Sequence, residues 1–396
     1  MKVPAAELAT RLRKFNAIMD SSFDGWRYVF IFNPVTAYYF TGTLQDGILF
    51  IQKDEIPIYF VRRSFERAKD ESRFSEIVSM SSYSTIAEKL SINKYSKIYI
   101  DKQFVTMDVF SRFNKYSEFQ NVESCDEEIS KTMATKSLFE INMIKRAGDI
   151  QKQVLEEYMP YVLKAGMTEA EAGALLTSEI LRLGGHAGLR VKSFGRELFF
   201  GNIAFGTNSL KRYAFDTPAG VEGNCPAAPF LGSPNKILEK DDLIYIDICC
   251  GVEGYLSSMT TLYSFYEVSD YIYEQQRRCK YIRDRIVESL KPSIIPEQIY
   301  NYIINNLHPA LEGLFMGVMP DNSKFLGHGI GLYADEYPII AKGFKEPLKE
   351  NMAIAVESKV AIKGVGTIGV KNTYIVSSAG GVEVNGNNGE IIKLAP

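Results

Sequence analysis

The segment FLGHGIGLYADEYP occupies residues 325–338 and places His328 between Gly327 and Gly329. Glycines on both sides of a histidine indicate a tight turn, because glycine adopts backbone conformations that other residues avoid. Three other segments belong with it: LIYIDICCGVEGYLSSMTTLYSF (243–265), MAIAVES (352–358) and GTIGVKNTYIVS (366–377). Their apolar runs predict buried strands, and residues 325–396 as a whole are expected to form strands and turns.

Two acidic side chains interrupt these apolar runs. Asp247 lies at the end of one predicted strand, and Glu357 lies within another. A buried charge needs a partner or a metal ion, so each acid belongs either to a structural ion pair or to a site. Together with His328 they offer three potential ligands from three strands of one domain, which predicts a functional site.

Length and patterning predict two domains, because 396 residues are too many for one ordinary core. In residues 1–133 strands alternate with helices, which predicts an α/β domain with an amphipathic helix at 4–19 and a hairpin of 47–52 with 56–61. In residues 134–396 helices are followed by strands, and this order occurs twice. The polar stretch 125–136 is expected to link the two.

Two local signals define the helices at the start of the second domain. Pro160 is expected to interrupt the first of them, because proline has no N–H to donate. Thr168 and Glu171 have the spacing of a capping box, which predicts that the next helix begins there. That helix is expected to run to Gly184 and Gly185.

Composition argues against several functional classes. With 45 basic and 48 acidic side chains the formal net charge is -3, so no nucleic-acid-binding surface is expected. No basic run would bind an anionic membrane, and no apolar run reaches the ~20 residues of a membrane helix. The N-terminal residues lack the apolar core of a signal peptide. The five cysteines show no CxxC spacing, which favours free thiols and a cytoplasmic location.

The four segments together resemble the family of aminopeptidase P, prolidase, methionine aminopeptidase and creatinase. GHGIGLYADEYP is close to that family's GHGIG…HE.P segment, KSLFEINMIKRAGDI (136–150) is similar to its entry helix, and YYFTG (38–42) fits the N-terminal domain of its two-domain members. The resemblance implies a creatinase/prolidase-type α/β domain over residues 1–133, followed by an α+β pita-bread domain over residues 134–396.

Peptidases of this family hold two divalent metals with two Asp, one His and two Glu. Carried to this sequence, these positions fall on Asp247, Ser258, His328, Glu357 and Lys371. Both bridging carboxylates are therefore replaced. A charged lysine has no lone pair for a metal, and a catalytic zinc normally has three protein ligands. Two alternatives remain. Asp247, His328 and Glu357 could hold one divalent metal (manganese, zinc or iron). The favoured alternative is a site without metal, in which Lys371 pairs with Asp247 or Glu357.

The resemblance also assigns substrate-binding residues. Tyr213 stands where family peptidases have a histidine that contacts substrate, and Asp335, followed by Glu336, stands at the histidine of the HE.P pair. The loop FDTPAGVEGNCPAAPFLGSP before the first ligand strand is similar to the Xaa-Pro peptidase-like branch, which also has an Asp-Glu pair. Tyr213, Asp335 and Glu336 are therefore expected to contact substrate.

Three functions remain open. The first is a metal-free hydrolase of a C–N bond in a small peptide or amide-like substrate, as in creatinase, with Glu357 as general base, His328 as proton shuttle and Lys371 stabilising negative charge. For Glu357 to act as this base, burial is expected to raise its pKa. The second is an Xaa-Pro aminopeptidase or dipeptidase with one weakly bound metal. The third is a catalytically silent pseudo-peptidase that binds a peptide or protein partner. The resemblance further implies a homodimer.

Overall fold

A computed structural model describes residues 1–192, 199–386 and 388–395. The chain divides into two compact units, residues 1–133 and 134–396. Within the described ranges, no helix is both long and apolar enough to cross a membrane.

The first unit is built on a sheet of parallel and antiparallel strands, as its α/β patterning predicts. The strands are β1 (Tyr28–Ile31), β2 (Gly47–Gln52), β3 (Ile58–Val61), β4 (Ile77–Ser79), β5 (Lys97–Ile100) and β6 (Asn121–Ser124). The helices are α1 (Ala5–Ser22), α2 (Pro34–Thr41), α3 (Phe65–Glu71), α4 (Ser84–Leu90), α5 (Met107–Ser117) and α6 (Asp126–Ala134). The strands lie in the order β4-β3-β2-β1-β5-β6, and the hairpin of β2 and β3 is confirmed.

Aromatic side chains fill the core of the first unit. Phe30, Phe50 and Phe60 come from three neighbouring strands and are buried. Phe113 of α5 meets Phe30 edge to face, with ring centroids 5.2 Å apart. Such tilted arrangements stabilise aromatic pairs beyond the area they bury, so this unit has a core of its own.

The predicted linker at 125–136 is wrong, because most of it forms α6. Asp126, Glu127 and Glu128 occupy the first turn of this helix. Acidic side chains there stabilise a helix by complementing its dipole. Ile129 and Met133 provide a buried face, so a stretch that looks polar in sequence is an amphipathic helix in the structure.

The second unit begins with helices. They are α7 (Leu138–Lys152), a π-helix (Gln153–Tyr158), α8 (Met159–Val162) and α9 (Glu169–Arg182), with α10 (Asp270–Glu288) and α11 (Pro296–Asn305) further along the chain. The predicted interruption of the first helix is confirmed. It begins before Pro160, because α7 gives way to the π-helix at Gln153. The capping box of Thr168 and Glu171 is confirmed as well, with both reciprocal hydrogen bonds formed.

The described strands of the second unit form one large sheet. They are β7 (Gly201–Phe205), β8 (Ile244–Val252), β9 (Tyr255–Ser264), β10 (Phe325–Gly329), β11 (Glu336–Ala341), β12 (Ala353–Ile362), β13 (Gly366–Ser377), β14 (Gly380–Glu383) and β15 (Ile391–Lys393). The main order is β11-β10-β12-β13-β9-β8-β7, with β14 on β13 and β15 on β9. Helices and a mainly antiparallel sheet confirm the predicted α+β class.

The register of this sheet brings the chemically interesting side chains into one row. Asp247 of β8 lies opposite Thr260 of β9, and Thr260 lies opposite Lys371 of β13. Lys371 in turn lies opposite Glu357 of β12. Directly opposed residues project from the same face of a sheet. Asp247, Lys371 and Glu357 therefore share one face, although Asp247 is more than 100 residues from the other two.

Candidate active site

A cavity of about 260 Å³ lies above this row of side chains. Its polar lining comprises Asn202, Tyr213, Asp247, Ser258, His328, Asp335, Glu357 and Lys371. Its apolar lining includes Leu189, Val191, Phe200, Phe215, Phe325 and Ile339. A concave, largely apolar pocket with a few convergent polar groups is the usual form of a small-molecule site.

Lys359 occupies the space between the two buried acids. Its ammonium nitrogen Nζ lies 2.5 Å from Asp247 Oδ2 and 2.8 Å from Glu357 Oε2. The Lys359 side chain has no solvent exposure, and Glu357 is 1% exposed. The two acids therefore find their compensating charge in a lysine that is itself part of strand β12.

Tyr245 completes this arrangement beneath Asp247. Its hydroxyl donates a hydrogen bond of 2.9 Å to Asp247 Oδ2, the same oxygen that binds Lys359. The Lys359 ammonium also lies 5.5 Å from the centre of the Tyr245 ring, which is within the range of a cation–π contact. The sequence predicted Asp247 at the end of a strand, and this placement is wrong, because Asp247 lies inside β8.

Lys371 pairs with Glu357 as expected, but at a greater distance than Lys359. Its Nζ lies 3.8 Å from Glu357 Oε1, and its side chain is 13% exposed toward the cavity. The two lysines thus contact opposite oxygens of the same carboxylate. Lys359 supplies the close contact, and Lys371 supplies a second positive charge that faces the cavity.

The lysines determine the ionisation of the acids. Burial alone would raise the pKa of Glu357, but Lys359 and Lys371 outweigh it, and the net pKa lies below the ordinary value. The pKa of Asp247 is lowered for the same reason. Both acids in turn raise the pKa values of Lys359 and Lys371 against the effect of burial. The expected increase in the pKa of Glu357 is therefore wrong, because two cations lie within 4 Å of it.

His328 lies in β10 beside this cluster. Its Nε2 is 3.9 Å from Glu357 Oε1, and its Nδ1 is 3.1 Å from the backbone oxygen of Gly329. A carbonyl oxygen cannot donate, so Nδ1 carries the proton and Nε2 keeps its lone pair. Burial, together with the charge of Lys371, lowers the pKa of His328 to about 4. The imidazole is therefore neutral at neutral pH.

Ser258 forms part of the cavity floor and is fixed by its neighbours. Its backbone oxygen accepts a hydrogen bond of 2.7 Å from Asn385 Nδ2, and its backbone nitrogen donates one of 2.9 Å to Thr373 Oγ1. Asn385 Nδ2 also donates to Ser257 Oγ and Gln151 Oε1. A buried polar network of this kind holds β9 and β13 in register beneath the cavity.

Tyr213 and Asp335, both assigned to substrate binding by resemblance, line the cavity. The Tyr213 hydroxyl lies 2.8 Å from Asn202 Nδ2, and burial raises its pKa to about 12. Asp335 Oδ1 accepts a hydrogen bond of 2.7 Å from the backbone nitrogen of Lys192, and burial raises its pKa to about 6. Each side chain is held in the cavity wall by its hydrogen-bond partner.

Glu336 is placed differently from its neighbour Asp335. Its Oε2 forms a buried ion pair of 2.8 Å with Lys136, in which both side chains are at most 3% exposed. Its Oε1 accepts a hydrogen bond from the backbone nitrogen of Tyr333. Glu336 is not part of the cavity lining, so its visible role is to join β11 to the residues that precede α7.

These side chains do not fit a divalent metal. Within the described ranges, no three His, Cys, Asp or Glu side chains are grouped so that they could hold one. A cation between Asp247 and Glu357 would lie against the Lys359 ammonium. Two carboxylates and two ammonium groups already sum to no net charge, so a divalent ion would add unbalanced charge in a buried place.

Sequence reasoning identified Asp247, His328, Glu357 and Lys371 but missed Lys359 and Tyr245. A signal for both was present. Residues two apart in a strand project from the same face, so Lys359 follows Glu357 and Tyr245 precedes Asp247 on the side of the site. Neither residue stands at a ligand position of the family, so the resemblance did not point to them.

Comparison with known families gives two matches that together cover most of the chain. The model of metallopeptidase family M24 matches residues 142–378. The model of the creatinase/prolidase N-terminal domain matches residues 11–132.

Among curated proteins, the Xaa-Pro dipeptidase of Pyrococcus furiosus is 24% identical over 392 residues, which is 96% of this chain and 99% of that protein. An uncharacterized peptidase of Staphylococcus saprophyticus is 22% identical over 369 residues, which is 90% of this chain and 94% of that protein.

Solved structures share the fold at low identity. An X-Pro aminopeptidase from Thermotoga maritima gives a TM-score of 0.76 at 21% identity and covers 96% of this chain and 99% of its own. The prolidase from Pyrococcus furiosus gives 0.73 at 22% identity, with coverage of 94% and 99%. The N-terminal domain of FACT complex subunit SPT16 from Cicer arietinum gives 0.71 at 14% identity, with coverage of 98% and 98%. These likenesses confirm the predicted pita-bread fold.

Proposed function

The chain belongs to metallopeptidase family M24, and from that premise we propose that it hydrolyses a C–N bond in a small peptide or amide-like substrate without a divalent metal. One observation carries the proposal. The Lys359 ammonium lies 2.5 Å from Asp247 and 2.8 Å from Glu357. A side chain of the protein thus supplies the positive charge between two acids that a metal supplies in the family's peptidases.

The neutral imidazole of His328 is the group that accepts a proton in this proposal. Its Nε2 carries a lone pair because Nδ1 donates to Gly329. A water molecule beside Nε2 loses a proton to it while the oxygen attacks the carbonyl carbon. The imidazolium then protonates the leaving nitrogen, and the products are a carboxylate and an amine. Glu357 Oε1, 3.9 Å away, stabilises the imidazolium.

Lys371 stabilises the oxyanion that develops on the substrate. Its ammonium faces the cavity and remains charged, since Asp247 and Glu357 raise its pKa against burial. A fixed donor in a site that excludes water contributes more to a transition state than the same donor in solution. Glu357, expected from sequence to be the base, becomes in this proposal the charge that balances His328 and the two lysines.

The test is hydrolysis of Xaa-Pro dipeptides and small acyl amides by the purified chain, with and without a chelator. We expect turnover that the chelator leaves unchanged and that His328→Gln and Lys371→Met each reduce by about 100-fold or more, the usual scale for a lost proton acceptor or oxyanion donor. Turnover that requires added manganese, zinc or iron would contradict the proposal and favour the single-metal peptidase.

A second candidate is a catalytically silent pseudo-peptidase. The pKa of His328, lowered to about 4, favours it, because an imidazole that holds a proton so weakly is a poor proton acceptor. The same cavity would then bind a peptide without cleaving it. Absence of turnover for every substrate, with saturable binding of a peptide, would support this candidate over the hydrolase.

We propose further that the chain acts as a homodimer in the cytoplasm. The support is the resemblance to two-domain members of the family and the absence of a CxxC spacing among the five cysteines. We also propose that the site holds no metal. Manganese, zinc or iron would each have to displace the Lys359 ammonium before binding Asp247 or Glu357.

A further inference from the structure

The two lysines of the site differ in what they face. Lys359 is fully enclosed and contacts both acids closely. Lys371 lines the cavity, and its ion-pair partner Glu357 Oε1 lies 3.8 Å away. That distance is longer than a hydrogen bond. At that distance no hydrogen bond ties the Lys371 ammonium to Glu357, so its N–H groups can donate to a molecule in the cavity.

The walls around Lys371 favour a ligand with an apolar body. Aromatic and aliphatic side chains surround the cavity, among them Phe200, Phe215, Phe325 and Ile339. An ammonium group that faces a cavity of this kind favours a ligand with an acceptor for its N–H groups and with an apolar body. A carboxylate attached to a hydrocarbon group meets both requirements.

The cavity volume is large enough for such a ligand. About 260 Å³ has room for a small acyl group with its carboxylate, since one water molecule takes ~30 Å³ of liquid volume.

We propose that this cavity is a binding site for the carboxylate of a small apolar acid, with Lys371 Nζ donating hydrogen bonds to the carboxylate oxygens. The identity of this acid as the reaction product rests on the hydrolase function proposed above. Hydrolysis adds water across the C–N bond and leaves a carboxylate on the carbon that Lys371 faces. The acid product is thus expected to stay bound there and to inhibit turnover competitively.

The experiment is calorimetric titration of the whole chain, in the presence of a chelator, with cyclohexanecarboxylate and with cyclohexanecarboxamide. The two probes have the same size and shape and differ in charge. We expect saturable binding of the acid, and binding of the neutral amide at least tenfold weaker, as follows from the loss of a charged hydrogen bond. Equal affinity for both probes, or no saturable binding of the acid at millimolar concentration, overturns the proposal.

Variants at two lysines supply the second arm. Lys371→Gln is expected to weaken acid binding at least tenfold, Lys371→Arg to retain most of it, and Lys363→Gln, at an exposed lysine, to leave it unchanged. Unchanged acid binding by Lys371→Gln overturns the proposal. Acid binding without turnover of any amide would contradict the hydrolase proposal and support the carboxylate site. Turnover without acid binding would support the hydrolase and overturn the carboxylate site.

Discussion

At the scale of single residues, Lys359 explains why Asp247 and Glu357 persist as buried acids. Removing a carboxylate from water costs several kcal/mol unless an opposite charge compensates it. Lys359 provides that charge within 2.8 Å of both acids. Its own burial is compensated by the same two contacts and by the ring of Tyr245. None of the three charges is stable in this place without the others.

Lys359→Met therefore tests the cluster directly. The variant leaves two carboxylates buried with only the more distant Lys371, and we expect the free energy of unfolding to fall by about 3–5 kcal/mol. Lys363→Met, at an exposed position in the turn after β12, is the matched control and should change stability by no more than about 0.5 kcal/mol. Urea denaturation monitors both. A Lys359→Met protein as stable as the control would show that the ion pairs do not carry the fold here.

A metal site should be recoverable by reversing the replacements. The triple variant Ser258→Asp, Lys359→Ala, Lys371→Glu removes both ammonium groups and supplies two carboxylates beside Asp247, His328 and Glu357. Because carboxylates and imidazole are the ligands of manganese and zinc sites, we expect the variant to retain at least one metal equivalent after dialysis. Retention of no metal would mean that something other than the two lysines prevents binding.

At the scale of elements, sheet register builds the site from strands distant in sequence. Each strand contributes one or two side chains, and β9 and β13 are held together by the hydrogen bonds of Asn385. Apolar runs and turn residues were enough to predict the strands, the hairpin of β2 and β3, and the capping box of α9. The pairing of β9 with β13 was not predictable, because Thr260 and Lys371 are more than 100 residues apart.

Asn385→Ala tests how far this network supports the sheet. Its side-chain amide donates to Gln151, Ser257 and Ser258 and accepts from Thr373. An unsatisfied buried polar group costs about 1–3 kcal/mol, so we expect a loss of at least ~2 kcal/mol in thermal or urea unfolding. Asn388→Ala, at an exposed position nearby, should be neutral. Equal behaviour of the two variants would argue against the network.

At the scale of the whole molecule, the sequence indicated two domains and the pita-bread fold but not the content of the site. Family motifs persisted around Asp247, His328 and Glu357, so the resemblance located the cavity. The proposed replacement of a metal by Lys359 depends on which of two lysines reaches the acids, and only side-chain positions reveal that. The prediction that Lys371 pairs with an acid holds for Glu357, at 3.8 Å.

Assembly is a prediction at the same scale. Because two-domain members of the family are usually homodimers, light scattering after size-exclusion chromatography should give twice the chain mass of 44.6 kDa. The measurement should be repeated at several protein concentrations, since a weak dimer dissociates on dilution. A mass of one chain at every concentration would contradict this expectation.

The measurement that tests the central claim most directly is metal content by mass spectrometry after dialysis against trace manganese, zinc and iron. The Lys359 ammonium already lies between Asp247 and Glu357, so we predict that far less than one metal equivalent stays with each chain. Retention of one or more equivalents per chain would contradict the account, because it would mean that a metal displaces Lys359 from the two carboxylates.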